Sequence, residues 1–136
     1  MIKKLVNARR DHMNKHAAKR EESYDKLDGK LYDKYSGVIE PLLMEGEEVR
    51  KMYGLLRDFA CLTSERLIFA DVKGLSGNKK GFVCVFFKHI QEVVIEQGHI
   101  TGAIQVSTMR RDYILEAPDK NMSSRFAKEL MHAMRY

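Results

Sequence analysis

From Gly46 onward the apolar residues recur with a period of two, while the segments before and after it repeat every three to four residues, and that double switch leaves few folds open. Seven short runs rich in β-branched and aromatic residues read as strands: Glu48 to Tyr53, Asp58 to Thr63, Arg66 to Val72, Phe82 to Phe87, Glu92 to Gln97, Ala103 to Ser107, and Asp112 to Glu116. The connections "GLL", "SE", a glycine-rich bend, "KHIQ", "GHITG" and "TMRR" are short or carry glycine, as antiparallel hairpins require. The spacing is that of a sandwich or small barrel, so the fold class is mainly β (α+β).

The flanks are helical. Tyr24, Leu27, Leu31, Tyr35, Val38 and Leu42 follow one another at spacings that keep them on one helical face. Gly29 and Gly37 each cost about 1 kcal/mol against alanine inside a helix, so a break is expected at one of them. A shorter second helix then runs to "PLLMEGEE", with Pro41 in its first turn and Gly46 as its end. At the other end Met122, Phe126, Leu130 and Met134 form one stripe, with Asp119 or Ser123 as N-cap. A small barrel leaves an apolar mouth, and this helix is its expected plug.

The 136 residues suit one domain plus an appendage. Charge marks the appendage: residues 1–20 carry seven Lys or Arg against Asp11 alone, a net +6, whereas the remainder sums to −1. Electrostatic attraction is thus concentrated on one basic arm, and Lys3, Lys4, Arg9 and Arg10 are its partner or membrane candidates. Cys61 and Cys84 sit in apolar runs with no secretory signal ahead of them, which predicts reduced core thiols in a cytoplasmic protein. No run approaches the roughly 20 apolar residues of a membrane-spanning helix.

Seven antiparallel strands closed by one amphipathic helix is the layout of the pleckstrin-homology superfold, and the text resembles more narrowly the bacterial pleckstrin-homology-like domain family. The matching pieces are "EGEEV", "RDFACLTSERLIFADVKG", "IQEVVIEQG" and the closing helix, with Asp58, Thr63, Arg66, Leu67, Ile68 and Asp71 at the family's positions in the second hairpin. The resemblance covers residues 45–136, which gives a basic helical segment 1–44 followed by a domain 45–136. It implies a noncatalytic binding or scaffolding module, and ring assembly is known among its members. The eukaryotic relatives' phosphoinositide motif is not met: Lys51 and Arg57 would begin it, but Phe59 stands where a second spaced cation is required.

"GLSGNKKG" invites a phosphate-loop reading and fails it. The second glycine is misplaced, no hydroxyl residue follows the lysine, and the loop leads into the strand "FVCVFF" instead of a helix. It is read as a hairpin connection. The resemblance implies that Arg57, Lys79, Lys80, Arg110 and Arg111 converge at the open end of the barrel, where they form a candidate anion or ligand site. The alternative is that they are solvated loop residues.

His12 and His16 share a helical face but have no third ligand, so no metal is expected. No nucleophile–base or paired-carboxylate arrangement stands out, Glu47 and Glu48 read as surface residues where the first strand starts, and neither enzyme activity nor a cofactor is expected. The basic arm lacks aromatic residues for base stacking and so predicts no specific nucleic-acid binding. Against a membrane it would rely on about 1 kcal/mol per cation near an anionic surface. The reading that ranks first is a noncatalytic module binding another protein or itself as a homo-oligomer, through the face carrying Tyr24, Leu27, Leu31 and Tyr35 or through a sheet edge. The alternative is a membrane-peripheral adaptor holding anionic lipid with the arm and the rim cations.

Overall fold

The computed structural model describes residues 29–56, 58–71, 81–98 and 100–135. All seven expected strands are present: β1 (Val49–Gly54), β2 (Phe59–Thr63), β3 (Arg66–Asp71), β4 (Gly81–Phe86), β5 (Ile90–Gln97), β6 (Gly102–Thr108) and β7 (Asp112–Ala117). They form two antiparallel sheets, a first in the order β1-β2-β3-β4 and a second in the order β5-β6-β7. A 3-10 turn at Phe87–His89 carries the chain from one sheet to the other.

Between the sheets lies one core. Tyr53, Ala60, Leu62, Leu67 and Phe69 reach it from the first sheet, Ile104, Val106, Leu115 and Ala117 from the second. The closing helix, α2 (Lys120–Met134), plugs it as expected, with Met122, Phe126 and Leu130 buried in that same core. Asp119 is the N-cap, its carboxylate accepting from the Met122 N–H at 2.7 Å. The Phe126 ring meets Tyr53 edge-on at 4.8 Å, and the Tyr53 hydroxyl donates to the Glu129 carboxylate.

β2 is buried at all five positions, which a one-sided sheet cannot give. The reason is a second cluster on the outer face of the first sheet, where Met52, Phe59, Cys61 and Ile68 are covered by residues 29–39, helix α1. Tyr35 packs its ring 4.3 Å from that of Phe59, and Ile39, fully buried, closes the cluster. The unbroken apolar run "FACLT" is the sequence trace of a strand covered on both sides. α1 therefore shares a core with the strands that follow residue 45.

The helix passes Gly37 without interruption, and Gly29 is the first described residue. Regular helix stops at the 3-10 turn Glu40–Leu42, where Pro41 has no N–H to continue it. Gly46, at φ +80°, then turns the chain into β1, a conformation open to glycine at little cost.

One close approach fixes α2 against the second sheet. A Cβ built on Gly102 would lie 2.9 Å from the Cβ of Ser123, which is fully buried and whose hydroxyl is engaged by the Lys120 carbonyl at 2.9 Å. Gly102→Ala is expected to cost about 1–3 kcal/mol by overpacking, read as a lower urea midpoint with an unchanged slope.

Candidate functional site

The most concentrated polar chemistry among the described residues is a buried clamp where α1 hands over to β1. Glu47, expected at the surface, is buried. Its Oε1 accepts from the Arg66 guanidinium at 2.6 Å and from the Met44 N–H at 3.0 Å, while Oε2 accepts from Arg66 Nε at 2.8 Å and from the Thr63 hydroxyl at 2.6 Å. Arg66 also donates to the Leu42 carbonyl at 2.6 Å. These bonds hold the Glu47 carboxyl down at about 2, Arg66 being the largest cause. Such a carboxylate has no free lone pair to offer a substrate proton, so the clamp is structural. The surface reading failed because a polar residue before a strand usually faces water, and nothing local announces an arginine 19 residues away.

The two thiols behave differently. Burial pushes the Cys61 thiol up to about 12, and that of Cys84 is also raised, again by burial first. Cys84, however, is exposed, contrary to the expectation of two core thiols. Both lie in one row across the first sheet with Ile68 between them, about 9.6 Å apart at two strand spacings. That exceeds the reach of a disulfide. A native-state assay with an aromatic disulfide reagent is expected to titrate one thiol per chain, Cys84, and both after denaturation.

Of the candidate cations, Arg57, Lys79 and Lys80 lie outside the described residues, as do Lys3, Lys4, Arg9, Arg10, His12, His16, Tyr24 and Leu27. Arg110 and Arg111 are exposed on the β6–β7 turn beside Met109, which is 86% exposed. The Arg111 guanidinium lies over the Tyr113 ring at 5.5 Å, and Tyr113 meets Phe69 of β3 edge-on at 5.3 Å. The connection after β1 is held at the other end of β7, where the Leu56 N–H donates to the Glu116 carbonyl at 2.9 Å. The length of β7, roughly 17 Å, separates that contact from the Arg110–Arg111 turn. Leu31 and Tyr35 of the expected partner face pack on the protein's own first sheet.

A groove of about 530 Å³ runs between α1 and β1, walled by Tyr32, Glu40 and Leu43 on one side and by Val49, Arg50 and Met52 on the other. The Tyr32 hydroxyl donates to the Glu40 carboxylate there. No group of three His, Cys, Asp or Glu suited to a metal ion occurs among the described residues, and no helix among them is long and apolar enough to cross a membrane.

The surface that sequence reasoning missed is the outer face of the second sheet. Strand register sets three rows across it: Glu92, Ser107 and Asp112; Val94, Gln105 and Ile114; Glu96, Ala103 and Glu116. Four carboxylates frame a middle row in which Val94 and Ile114 stand on either side of Gln105, Ile114 is 67% exposed, and none of the nine positions is a cation. The signal is in the sequence as two acid–apolar–acid triplets at alternate positions, "EVVIE" and "DYILE". Only the pairing of β5 and β7 on either side of β6 brings them onto one face.

A family model described as "Bacterial PH domain" matches residues 22–102, a span that includes α1 and leaves out the basic arm. Two Bacillus subtilis (strain 168) proteins are similar: YjqA, 30% identical over 88 residues covering 65% of this chain and 68% of the relative, and YozO, 32% identical over 89 residues covering 62% and 77%. Among solved structures, a pleckstrin homology domain from Shewanella amazonensis superposes with a TM-score of 0.59 at 22% identity, covering 78% of this chain and 86% of that one. A protein with a pleckstrin-homology domain from Shewanella loihica gives 0.59 at 19% identity, covering 75% and 95%. At such identities the likeness is one of fold.

Proposed function

Because the chain belongs to the bacterial PH domain family, we propose that it is a noncatalytic interaction module that docks a protein segment carrying basic and apolar side chains on the outer face of its second sheet. The observation that carries this reading is the framing of exposed Ile114 by Glu92, Glu96, Asp112 and Glu116. Apolar contact at the centre supplies affinity, and the surrounding carboxylates select and steer a basic partner. The outer face of the first sheet is already occupied by α1, which leaves the second sheet to present a face outward.

The test is affinity capture from the host with the full chain as bait, beside a Glu92→Lys/Glu116→Lys variant. At least one captured protein is expected to fall about tenfold or more with the variant. A recovered set indifferent to the reversal would remove this face from consideration.

A second reading has its own observation, the exposed Met109 followed directly by exposed Arg110 and Arg111. An apolar tip beside two cations suits an anionic lipid surface. It requires salt-sensitive co-sedimentation with anionic vesicles that Arg110→Glu/Arg111→Glu weakens; no sedimentation at low salt, where attraction is strongest, would remove it.

A further inference from the structure

The acidic face with its two apolar residues, Val94 and Ile114, has a chemical complement in the same chain. Residues 1–20 carry a net +6 together with Ile2, Leu5, Val6 and Met13, while the face offers four carboxylates around Val94 and Ile114. Charge of one sign is concentrated on each, and apolar side chains accompany both.

Chain geometry puts the two within reach. Leu31, near the start of the described part of α1, packs against Gly54 at the end of β1, its Cδ1 in ordinary contact with a Cβ position there, at 3.7 Å. Two residues further on, the Leu56 N–H bonds the carbonyl of Glu116, one of the four acidic residues. The start of the described part of α1 therefore lies near the connection after β1, which bonds β7 at an edge of the acidic face. Residues 21–28 would span up to roughly 26–29 Å if extended. The face is about 10 Å wide between its outer strands and about 17 Å long, so every part of it is accessible to a segment tethered there.

We propose that the basic segment 1–20 docks on the outer face of its own chain's second sheet, so that an external partner gains the face only by displacing it. This rests on the reading of that face as the docking surface. Tethering makes the contact intramolecular at an effective concentration in the millimolar range. An intrinsic affinity of only about 0.1 mM would then keep the face about 90% covered. The segment thereby sets a threshold that a weak, nonspecific cation does not cross.

The experiment uses the full chain carrying Cys84→Ser and Ala18→Cys with a nitroxide on residue 18; buried Cys61 stays unlabelled. At low salt, amide signals of Val94, Gln105, Ile114 and Glu116 are expected to lose more than half their intensity relative to the reduced label, while Leu130 in α2 keeps most of its own. The loss should survive tenfold dilution and disappear with Glu92→Lys/Glu116→Lys. No loss at low salt, or a loss found only when label and isotope are on different chains, overturns the proposal. A parallel arm separates this failure from that of the docking face. A free peptide of residues 1–20 is added to the full chain with Lys3, Lys4, Arg9 and Arg10 replaced by Gln. Shifts at Val94 and Ile114 would keep the face as a docking surface even if the intramolecular contact is lost, and their absence would remove both.

Discussion

Arg66→Ala is expected to lower the free energy of unfolding by about 3–5 kcal/mol, because it leaves the Glu47 carboxylate buried without its countercharge. Domains of ordinary stability have about 5–15 kcal/mol in all, so the variant should be marginal at 25 °C and visibly shifted in thermal melts. Replacing Glu47 and Arg66 together by leucine is expected to cost clearly less than the sum of Glu47→Leu and Arg66→Leu made singly, since no lone charge remains. Urea denaturation of the four species closes this cycle; strict additivity would mean that the pair is not coupled. The same clamp sets a pH dependence. Its carboxyl sits at about 2 when folded, against 4.5 ordinarily. A depressed value means that the contribution is complete above about pH 4.5 and is lost as the pH falls towards 2, on the order of 3 kcal/mol from this group. Glu47→Gln should flatten that part of the stability profile.

Phe59→Ala is the second change of this size, expected to cost about 3–5 kcal/mol. Phe59 is almost fully buried on the outer side of β2 and meets Tyr35 of α1 at 4.3 Å and Phe82 of β4 at 6.1 Å, so its ring joins the helix to two strands. A cavity at that joint should loosen α1 before it disturbs the core between the sheets. Two readouts separate these outcomes. Global unfolding by urea reports the total cost, and thiol titration of folded protein reports whether Cys61, in the same cluster, becomes reactive along with Cys84. An unchanged thiol count with an unchanged midpoint would mean that α1 is not held by this contact.

The strands were legible because each is a short run bounded by turn residues, and because β-hairpin chemistry is local. The expected and observed boundaries differ by at most two residues, the largest difference being at β5, which starts at Ile90 where Glu92 was expected. The closing helix was legible from its four-residue stripe, and its cap was one of the two residues offered. Less of the first helix was legible. Gly37 has no neighbour within 4 Å of its Cβ position and sits in regular helix, where the packing of Tyr35 and Ile39 outweighs its propensity cost. Leu31 and Tyr35, read as part of a partner face, instead cover the unbroken run of β2. Two things depended on register and lay beyond any local pattern: the Glu47–Arg66 clamp, and the assembly of two acid–apolar–acid triplets into one face. Cys84 was misplaced for a related reason. It lies in the outward row of β4, an edge strand, and there it remains exposed.

The central claim is that the outer face of the second sheet docks a basic, apolar protein segment. Amide hydrogen exchange of the full chain with Lys3, Lys4, Arg9 and Arg10 replaced by Gln, which leaves the face uncovered, alone and bound to a partner recovered in a face-dependent way, tests it most directly. Slowed exchange on binding is predicted in β5 and β7, around residues 92–96 and 112–116, with α1 and the β6–β7 turn unchanged. Protection confined to residues 109–111 or to α1, with β5 and β7 exchanging as in the free protein, would contradict it.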